Sequence, residues 1–254
     1  MYRPRIIPVL GIDDGGVVKT RRFKKPEYIG DPINAVRILN SYRADELCIV
    51  DIRASHLGRT ISKDLVLDIA EEAHMPFTLG GGIQSFDIAA EYLTLGAERI
   101  LFSTALWVAP DQVSKTALEY GSSSVVGCLD INKSFTGQKF VYNRGKRMPM
   151  TLEDSIKHLI DIGVGEIFLN FVYKDGTFDG YDKDLILKLS KGSSVSIVPL
   201  GGARDMGDFE WIRDVGLYSG AASSLFVYHG RENGILINYL SDEEKNKLVR
   251  NDNI

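Results

Sequence analysis

The chain has 254 residues, of which 44% are hydrophobic and 25% are charged, and its formal net charge is −4. This length and composition fit a single large α/β domain with a full hydrophobic core. The negative charge argues against a general nucleic-acid binder, and no apolar run approaches the roughly 20 residues of a membrane-spanning helix.

Short apolar runs alternate with amphipathic segments from one end of the chain to the other. The runs are rich in Val, Ile and Leu and apolar on both faces, as buried parallel strands are. The predicted strands are Ile6–Leu10, Leu47–Asp51, Phe77–Gly80, Ile100–Ser103, Val125–Asp130, Ile167–Asn170, Val195–Leu200 and Ala221–Phe226. The predicted helices are Pro32–Tyr42, Lys63–Ala73, Phe86–Leu95, Asp111–Tyr120, Leu152–Ile162, Lys183–Leu189, Asp208–Val215 and a terminal helix from Ser241, where Ser241 and Glu244 form a capping box. This order predicts a closed (β/α)8 TIM barrel, and the even spacing disfavours the alternative of a Rossmann-like open sheet.

The sequence also repeats itself at a fixed interval. The matching segments are Gly80–Gly82 with Gly201–Gly202, Leu101–Thr104 with Ala221–Ser224, and Glu46–Asp51 with Glu166–Asn170. The offsets 201 − 81, 223 − 103 and 166 − 46 all equal 120, which predicts one domain built from two half-barrels, roughly residues 1–122 and 123–254. One mismatch stands out, because Asp130 ends its strand where the first copy has Gly11.

Two groups of residues at the C-terminal ends of the predicted strands are candidates for binding phosphate. Active sites of (β/α)8 barrels lie at this face, and glycine-rich turns let backbone N–H groups approach an oxyanion. The two groups are Gly81, Gly82, Ser103 and Thr104 in the first half, and Gly201, Gly202, Ser223 and Ser224 in the second. Glycines that merely permit tight turns are the alternative interpretation. If both groups bind, the ligand is an elongated phosphorylated small molecule with an anionic group at each end.

Long loops are expected to cover this face. The loop Ile12–Asp31 carries a basic run from Lys19 to Lys25, and Lys19 is the candidate for contacting substrate. The loop Asn132–Met150 is predicted to form a hairpin that turns near Asn143–Gly145. Gly11, Asp51 and Asn170 are expected at the same face.

Four charged residues precede apolar runs at the opposite face: Arg5, Glu46, Arg99 and Glu166. They are interpreted either as a stabilising closure of the barrel end or as a polar gate on the barrel axis. The cysteines Cys48 and Cys128 are predicted to be buried thiols, and the histidines lack metal-ligand spacing. The N-terminus lacks the apolar core of a signal peptide. We therefore expect a cytoplasmic protein with no metal and no cofactor.

Several motifs resemble the cyclase (HisF-type) subunit of imidazole glycerol phosphate synthase over nearly the whole chain. These motifs are Arg5–Pro8, Gly30–Pro32, Ala44–Leu47, Gly80–Ile83, Asp175–Thr177 and Gly180–Asp182. The resemblance implies that a glutaminase subunit docks at the barrel bottom, with Glu98 in contact, and that Arg5, Glu46, Arg99 and Glu166 gate the passage of ammonia. It also implies a substrate-facing role for Asp175 and Thr177 and a catalytic role for Asp130.

The sequence departs from this family at the substrate face. The family pairs two aspartates as acid and base, and this chain has Gly11 in place of one of them, while Tyr173, Ser103 and Arg204 are further departures. Lys19–Arg37 and Asn233–Tyr239 resemble a divergent branch that is implicated in converting acetamido to acetamidino sugars of surface polysaccharides. In that branch the barrel and a glutaminase are thought to supply ammonia to an ATP-dependent sugar amidotransferase.

Three hypotheses follow from the sequence. The first is an ammonia-channelling subunit that serves amidation of a sugar. The second is a true cyclase of histidine biosynthesis, in which Asp130 acts alongside a substitute acid such as Asp13 or Asp51. Lys19 is the other candidate catalytic residue. The third is a non-catalytic scaffold that docks and activates a glutaminase.

Overall fold

The eight predicted strands form a closed parallel barrel. The computed structural model describes residues 2–230, 232 and 234–250. The barrel strands are β1 (Arg5–Asp13), β2 (Leu47–Asp51), β3 (Phe77–Gly80), β4 (Arg99–Phe102), β5 (Val125–Lys133), β6 (Glu166–Phe171), β7 (Ser196–Leu200) and β8 (Ser219–Ala222). Each strand pairs in parallel with the next, and β8 pairs with β1, so that the sheet closes. The (β/α)8 prediction is confirmed.

Helices between the strands surround the barrel. They are α1 (Pro32–Ser41), α2 (Lys63–Glu72), α3 (Phe86–Thr94), α4 (Pro110–Tyr120), α5 (Leu152–Asp161), α6 (Lys183–Ser190) and α7 (Met206–Asp214), followed by the terminal α8 (Asp242–Lys247). Most start at a side chain that accepts a hydrogen bond from the first helical turn, as Ser62 and Thr151 do. The predicted capping box of Ser241 and Glu244 is confirmed.

The last predicted strand was too long. The sequence predicted Ala221–Phe226, but β8 ends at Ala222, and Ser224–Val227 form a single helical turn. Phe226 and Val227 are buried against the outer core. A continuous apolar run thus contains a strand and a helix, which hydrophobicity alone does not separate.

Two hairpins extend from the C-terminal face. The first hairpin, Gly16–Arg21 with Lys24–Gly30, continues from β1, since Asp13 pairs with Gly16. The sequence predicted only a long loop there. The second hairpin continues from β5 into Lys139–Asn143, and that strand pairs with Lys146–Arg147. The predicted turn near Asn143–Gly145 is confirmed.

Side-chain alternation divides the core into two layers. Odd-numbered β1 residues such as Ile7 and Val9 join an inner cluster with Cys48, Cys128 and Phe168. Even-numbered β1 residues such as Ile6 and Leu10 join the larger cluster between strands and helices. Both cysteines are buried and free, as predicted.

The same alternation places three layers along the barrel axis. Arg5 lies two residues before Ile7 on the inner face of β1, and Gly11 lies two residues after Val9. Charged residues therefore close the bottom, the inner cluster fills the middle, and the candidate site opens at the top. In the described part of the chain, no helix is both long enough and apolar enough to cross a membrane. The predicted origin from two half-barrels stays a prediction.

Candidate functional site

A cavity of about 370 Å³ opens at the C-terminal ends of the strands. Its floor is the top of the inner cluster, with Val9, Leu101 and Phe168. Its walls include most of the predicted site residues, namely Gly11, Lys19, Asp51, Gly81, Gly82, Ser103, Thr104, Asp130, Asn170, Asp175 and Ser223. A smaller pocket beside it is lined by Gly201, Gly202, Ser223 and Ser224. The structure thus brings the sequence-predicted residues of both halves to one mouth.

Asp130 faces this cavity from the end of β5. Asn170 donates a hydrogen bond from Nδ2 to Asp130 Oδ1 over 2.8 Å, and the Cys128 thiol lies 3.8 Å from the same oxygen. Burial raises the pKa of Asp130 to about 6, although both of these hydrogen bonds oppose the rise. A carboxyl group with such a pKa exchanges its proton near neutral pH, which suits a general acid or base.

The raised pKa of Asp130 makes the protein's stability depend on pH. Because the folded state disfavours the ionised form, the contribution of Asp130 is fully present below pH 4 and is lost as the pH rises through about 6. The rise in the pKa of Asp130 from its ordinary value to about 6 corresponds to about 3 kcal/mol at most. We expect Asp130→Asn, relative to wild type, to gain stability between pH 5 and pH 8, measured as the free energy of unfolding in urea. Asp68→Asn, on the exposed surface of α2, is the control and should show no such trend. If the difference in unfolding free energy between Asp130→Asn and wild type is the same at every pH in this range, the raised pKa of Asp130 is contradicted.

Gly11 lies in the cavity wall without a carboxylate. Its backbone is part of the regular strand, so an L-residue fits its conformation. A Cβ atom at this position would lie 3.1 Å from Ile52 Cγ2 and 3.1 Å from the carbonyl oxygen of Val18. The space beside the backbone is therefore narrowed by Ile52 and by the first hairpin.

The other aspartates near the cavity have cationic partners. Asp51 accepts hydrogen bonds from the Arg53 backbone N–H at 2.9 Å and from Arg59 Nε at 3.1 Å. Asp13 is paired with Arg53 at 2.6 Å and with Arg59 at 3.4 Å. Both carboxylates are thus held by arginine side chains. The geometry therefore does not support either residue as a substitute acid.

Lys19 is buried and connects the first hairpin to the turn after β6. Its Nζ lies 2.5 Å from Asp175 Oδ1 and 2.7 Å from the carbonyl oxygen of Thr20. The Thr20 hydroxyl also donates to Asp175, over 3.2 Å. Because β1 and β6 lie on different sides of the barrel, this ion pair holds the hairpin across part of the mouth. Lys19 is placed at the cavity as predicted, but its charge is compensated by Asp175.

The four glycines of the predicted phosphate motifs are required by backbone packing. All four have positive φ. A Cβ on Gly81 would lie 2.5 Å from the carbonyl oxygen of Asp51, and one on Gly82 would lie 1.9 Å from that of Arg59. The corresponding distances are 2.8 Å from Gly201 to the carbonyl of Phe171 and 2.6 Å from Gly202 to that of Gly180. The turn-forming interpretation thus accounts for the glycines without a ligand.

The hydroxyl groups distinguish the two ends. Thr104 Oγ1 lies 3.4 Å from Ser55 Oγ and 3.4 Å from Asn143 Oδ1, so the second hairpin reaches the first motif. The Ser224 hydroxyl is buried and has no hydrogen-bond partner among the described residues. An unpaired buried hydroxyl is costly and indicates a missing partner. Thr177, by contrast, donates to the carbonyl of Lys174 at 2.9 Å and is used within its own turn.

Sequence reasoning missed several polar residues in the cavity wall. Arg53, Ser55 and His56 lie at the short helix Ala54–Leu57, and Arg144 lies at the tip of the second hairpin. Their only sequence signal was their position just after a strand or inside a long loop. Arg53 and Arg144 add cationic side chains near the first motif, whereas no cation lines the described part of the second motif's pocket.

The four charged residues at the bottom form a closed ring of ion pairs. Arg5 contacts Glu46 at 2.5 Å and also Glu166, while Arg99 contacts Glu166 at 2.8 Å and Glu46 at 3.5 Å. Glu46 also accepts a hydrogen bond from Thr78 at 3.1 Å. Burial raises the pKa of Glu46, although Arg99 and Arg5 oppose the rise. Both glutamates are therefore buried acids that depend on the two arginines for compensation.

Glu98 lies beside this ring, on the exposed surface just before β4. Its contact with a partner at the bottom face stays a prediction. Among the described residues, no group of three His, Cys, Asp or Glu side chains could hold a metal ion.

Fold and cavity together define a (β/α)8-barrel protein whose candidate site lies at the C-terminal ends of its strands. The model of the family "Histidine biosynthesis protein" matches residues 5–232, and the chain belongs to this family.

Relatives named as HisF subunits match over nearly the full length. A protein of Leptospira interrogans named "Putative imidazole glycerol phosphate synthase subunit HisF" is 39% identical over 252 residues, which span 98% of this chain and 99% of its own. A protein of the same name from Leptospira borgpetersenii is 40% identical, with the same coverage. The imidazole glycerol phosphate synthase subunit HisF of Alkaliphilus metalliredigens is 34% identical over 232 residues, 90% of this chain and 92% of its own. The chain is thus a HisF-like barrel, and it is more similar to the first two proteins than to the third.

Proposed function

We propose that this barrel receives ammonia from a glutaminase subunit at its bottom face and serves acetamidino modification of a surface-polysaccharide sugar. In this role a separate ATP-dependent amidotransferase attaches the nitrogen to the sugar. The observation that carries the proposal is a complete ion-pair ring below a cavity in which, among the described lining residues, Asp130 is the one carboxyl group without a cationic partner.

The ring supports passage of a small neutral molecule. Two arginines and two glutamates compensate each other, so the ring carries no net charge. Buried ion pairs are seldom the most stabilising way to fill such a space. Their presence at the end of the inner cluster therefore favours a function beyond closure of the barrel.

The upper face supports a change in chemistry. Paired acid–base catalysis contributes typically about 10²–10⁴-fold to a rate. Position 11 provides no side chain, and Asp13 and Asp51 are held by arginines. Asp130 is left without the opposing carboxylate that the family's cyclisation uses.

Both ends of the cavity support an anionic ligand. The first end combines Thr104 and Ser103 with the cationic side chains Arg53 and Arg144. The second end contains the unpaired hydroxyl of Ser224. We propose that a phosphoryl group binds at each end and that the group at the second end supplies the missing acceptor for Ser224.

A substitution at Ser224 tests the second end. We expect Ser224→Ala to weaken binding of inorganic phosphate, measured by calorimetric titration, while leaving stability unchanged or slightly higher, because an unsatisfied hydroxyl is removed. Ser190→Ala is the matched control, since Ser190 Oγ is also buried without a partner but lies on α6. It should affect stability in the same direction and leave phosphate binding as in wild type. Equal phosphate affinity for Ser224→Ala and wild type would contradict an anion site at Ser224.

A true cyclase is the second candidate function. The pKa of about 6 at Asp130 favours it, because it places a proton-exchanging group at the centre of the cavity. Under this hypothesis the reaction proceeds with a single carboxyl group.

Complementation separates the two functions. Under the proposal, the chain fails to restore growth of a histidine auxotroph that lacks its cyclase subunit. The purified chain with its glutaminase delivers ammonia from glutamine to the sugar amidotransferase. Robust growth of the auxotroph would contradict the proposal and establish the cyclase.

A further inference from the structure

Aromatic side chains project from two turns at the upper face: Phe23 lies at the tip of the first hairpin, and Phe135 lies in the turn that joins β5 to Lys139–Asn143. Phe135 is fully exposed, and Phe23 is 46% exposed. Isolated apolar residues are common on protein surfaces. These two differ because each lies at a tight turn and because both turns border the same cleft.

The turn that carries Phe135 is rigid. The Ser134 N–H donates to the carbonyl of Gln138 at 2.8 Å, and the Gly137 N–H donates to the carbonyl of Ser134 at 3.0 Å. The Ser134 hydroxyl also accepts from the Gln138 N–H at 3.0 Å. The phenyl ring is therefore held out on an ordered turn, and little conformational freedom remains to be lost when it is covered.

The turn that carries Phe23 is strained. Arg22 and Phe23 link the two strands of the first hairpin, and both have positive φ, at 52° and 60°. Glycine or asparagine is the usual choice at such positions. Strained non-glycine residues cluster where function needs them. Here they place an arginine and an aromatic ring side by side.

The cleft between the two turns is basic. It encloses about 560 Å³ and is lined by Arg22, Lys24, Asn132, Lys133, Ser134, Val172, Tyr173, Lys174 and Asp179. Four of these residues are cationic and one is acidic, whereas the whole chain has a net charge of −4. The positive charge is thus concentrated at this edge. The cleft lies beside the candidate site, because Phe23, which lines the main cavity, stands between the cleft residues Arg22 and Lys24.

We propose that this aromatic and basic surface, comprising Phe23, Phe135, Arg22, Lys24 and Lys133, docks a protein whose surface presents carboxylates around an apolar socket. The inference rests on the proposed function, under which this protein is the ATP-dependent amidotransferase that uses the ammonia. Rigid aromatic residues and arginine are enriched among the residues that dominate binding energy. The chain's negative charge disfavours an anionic membrane as the occupant. A protein docked here lies over the mouth of the cavity, so a small molecule can pass to it without entering bulk water.

The test measures binding of the purified ATP-dependent sugar amidotransferase from the same genome to the full chain in complex with its glutaminase. Phe135→Ser is expected to weaken the Kd by about 30-fold, the typical effect at a dominant interface residue. Lys133→Glu is expected to slow association and to reduce its dependence on salt. The controls are Leu118→Ser, an 87% exposed apolar residue on α4, and Lys157→Glu on the exposed face of α5. Both should bind as wild type does.

The outcomes separate this inference from the proposed function. If wild type binds and Phe135→Ser and Lys133→Glu bind equally well, the docking surface is overturned while the proposed function stands. If wild type itself does not bind, both the docking surface and the sugar role are overturned. Vesicles containing phosphatidylglycerol serve as a second probe. If the chain binds them through Phe135 while amidotransferase binding is unaffected by Phe135→Ser, a membrane takes the place of the protein partner and the inference fails.

Discussion

Replacing Gly11 with aspartate, combined with Ile52→Ala, is expected to raise formation of imidazole glycerol phosphate from ammonium and the bis-phosphate substrate by about 10²–10⁴-fold. The substitution returns a carboxylate to the wall of the cavity that also contains Asp130. The backbone at position 11 accepts an L-residue, and Ile52 is 37% exposed, so its truncation leaves little buried space. The Cβ contact of 3.1 Å with Ile52 is thereby removed.

Gly11→Asn in the same Ile52→Ala background is the matched control. The asparagine side chain has nearly the same shape as aspartate and lies equally close to Val18, but asparagine does not exchange a proton near neutral pH. Activity should stay at the wild-type level. Adding Asp130→Asn to Gly11→Asp and Ile52→Ala should abolish the gain, because both carboxyl groups are needed. A wild-type rate already equal to that of the aspartate variant would contradict the role assigned to position 11.

Replacing Arg5 with methionine is expected to destabilise the fold by about 3 kcal/mol at pH 8 and to uncouple glutamine hydrolysis from delivery of ammonia. Arg5 bridges Glu46 and Glu166, whose side chains are 3% and 7% exposed, so its loss leaves two buried acids with Arg99 alone. The pKa of Glu46 is already raised by burial. Because an acid with a raised folded pKa favours folding at low pH, the loss of stability should be smaller at pH 5 than at pH 8. Unfolding in urea at both pH values measures it.

Arg3→Met provides the comparison for Arg5. The Arg3 side chain is 30% exposed, close to the 32% of Arg5, and it pairs with Asp45 at 2.5 Å, outside the ring. We expect a loss of stability of the same sign, and delivery of ammonia from glutamine as in wild type. If both variants retain delivery, the ring is a closure and not a passage. Ammonium added directly should bypass the defect in Arg5→Met.

Local pattern was sufficient to predict most of the barrel. β2 and β3 were predicted with their observed bounds, because short runs that are apolar on both faces have few alternatives in a chain of this length. The helices began at capping side chains visible in the sequence, such as Ser62. The first hairpin was not predicted, because the five consecutive residues Arg21–Lys25 are all charged or aromatic and resemble a solvated loop. Its strand pairing with β1 is set by tertiary contacts, including that of Lys19 with Asp175, 156 residues away.

The site was predictable in position but not in detail. Residues at strand ends, such as Asp130 and Ser224, follow from the rule that barrel sites lie at one face. Arg53 and Arg144 belong to a short helix and a hairpin tip, whose directions depend on packing across the mouth. The ion-pair ring was foreseen as a set of charges, but pairing of each arginine with both glutamates is a property of the closed barrel.

The crowding at the four motif glycines has a consequence for how sequences of this kind are classified. A side chain at position 82 or 202 would strike the backbone of a neighbouring loop, so selection for folding alone preserves these glycines. Glycine motifs of this kind are retained when the substrate changes, so they indicate common ancestry and not the present activity. Position 11 is under a weaker constraint, because its backbone suits an L-residue and a Cβ there would lie no closer than 3.1 Å to its neighbours, so it can change with the reaction. Searches for the present activity of related genes should therefore weigh the residue at position 11 above the glycine motifs.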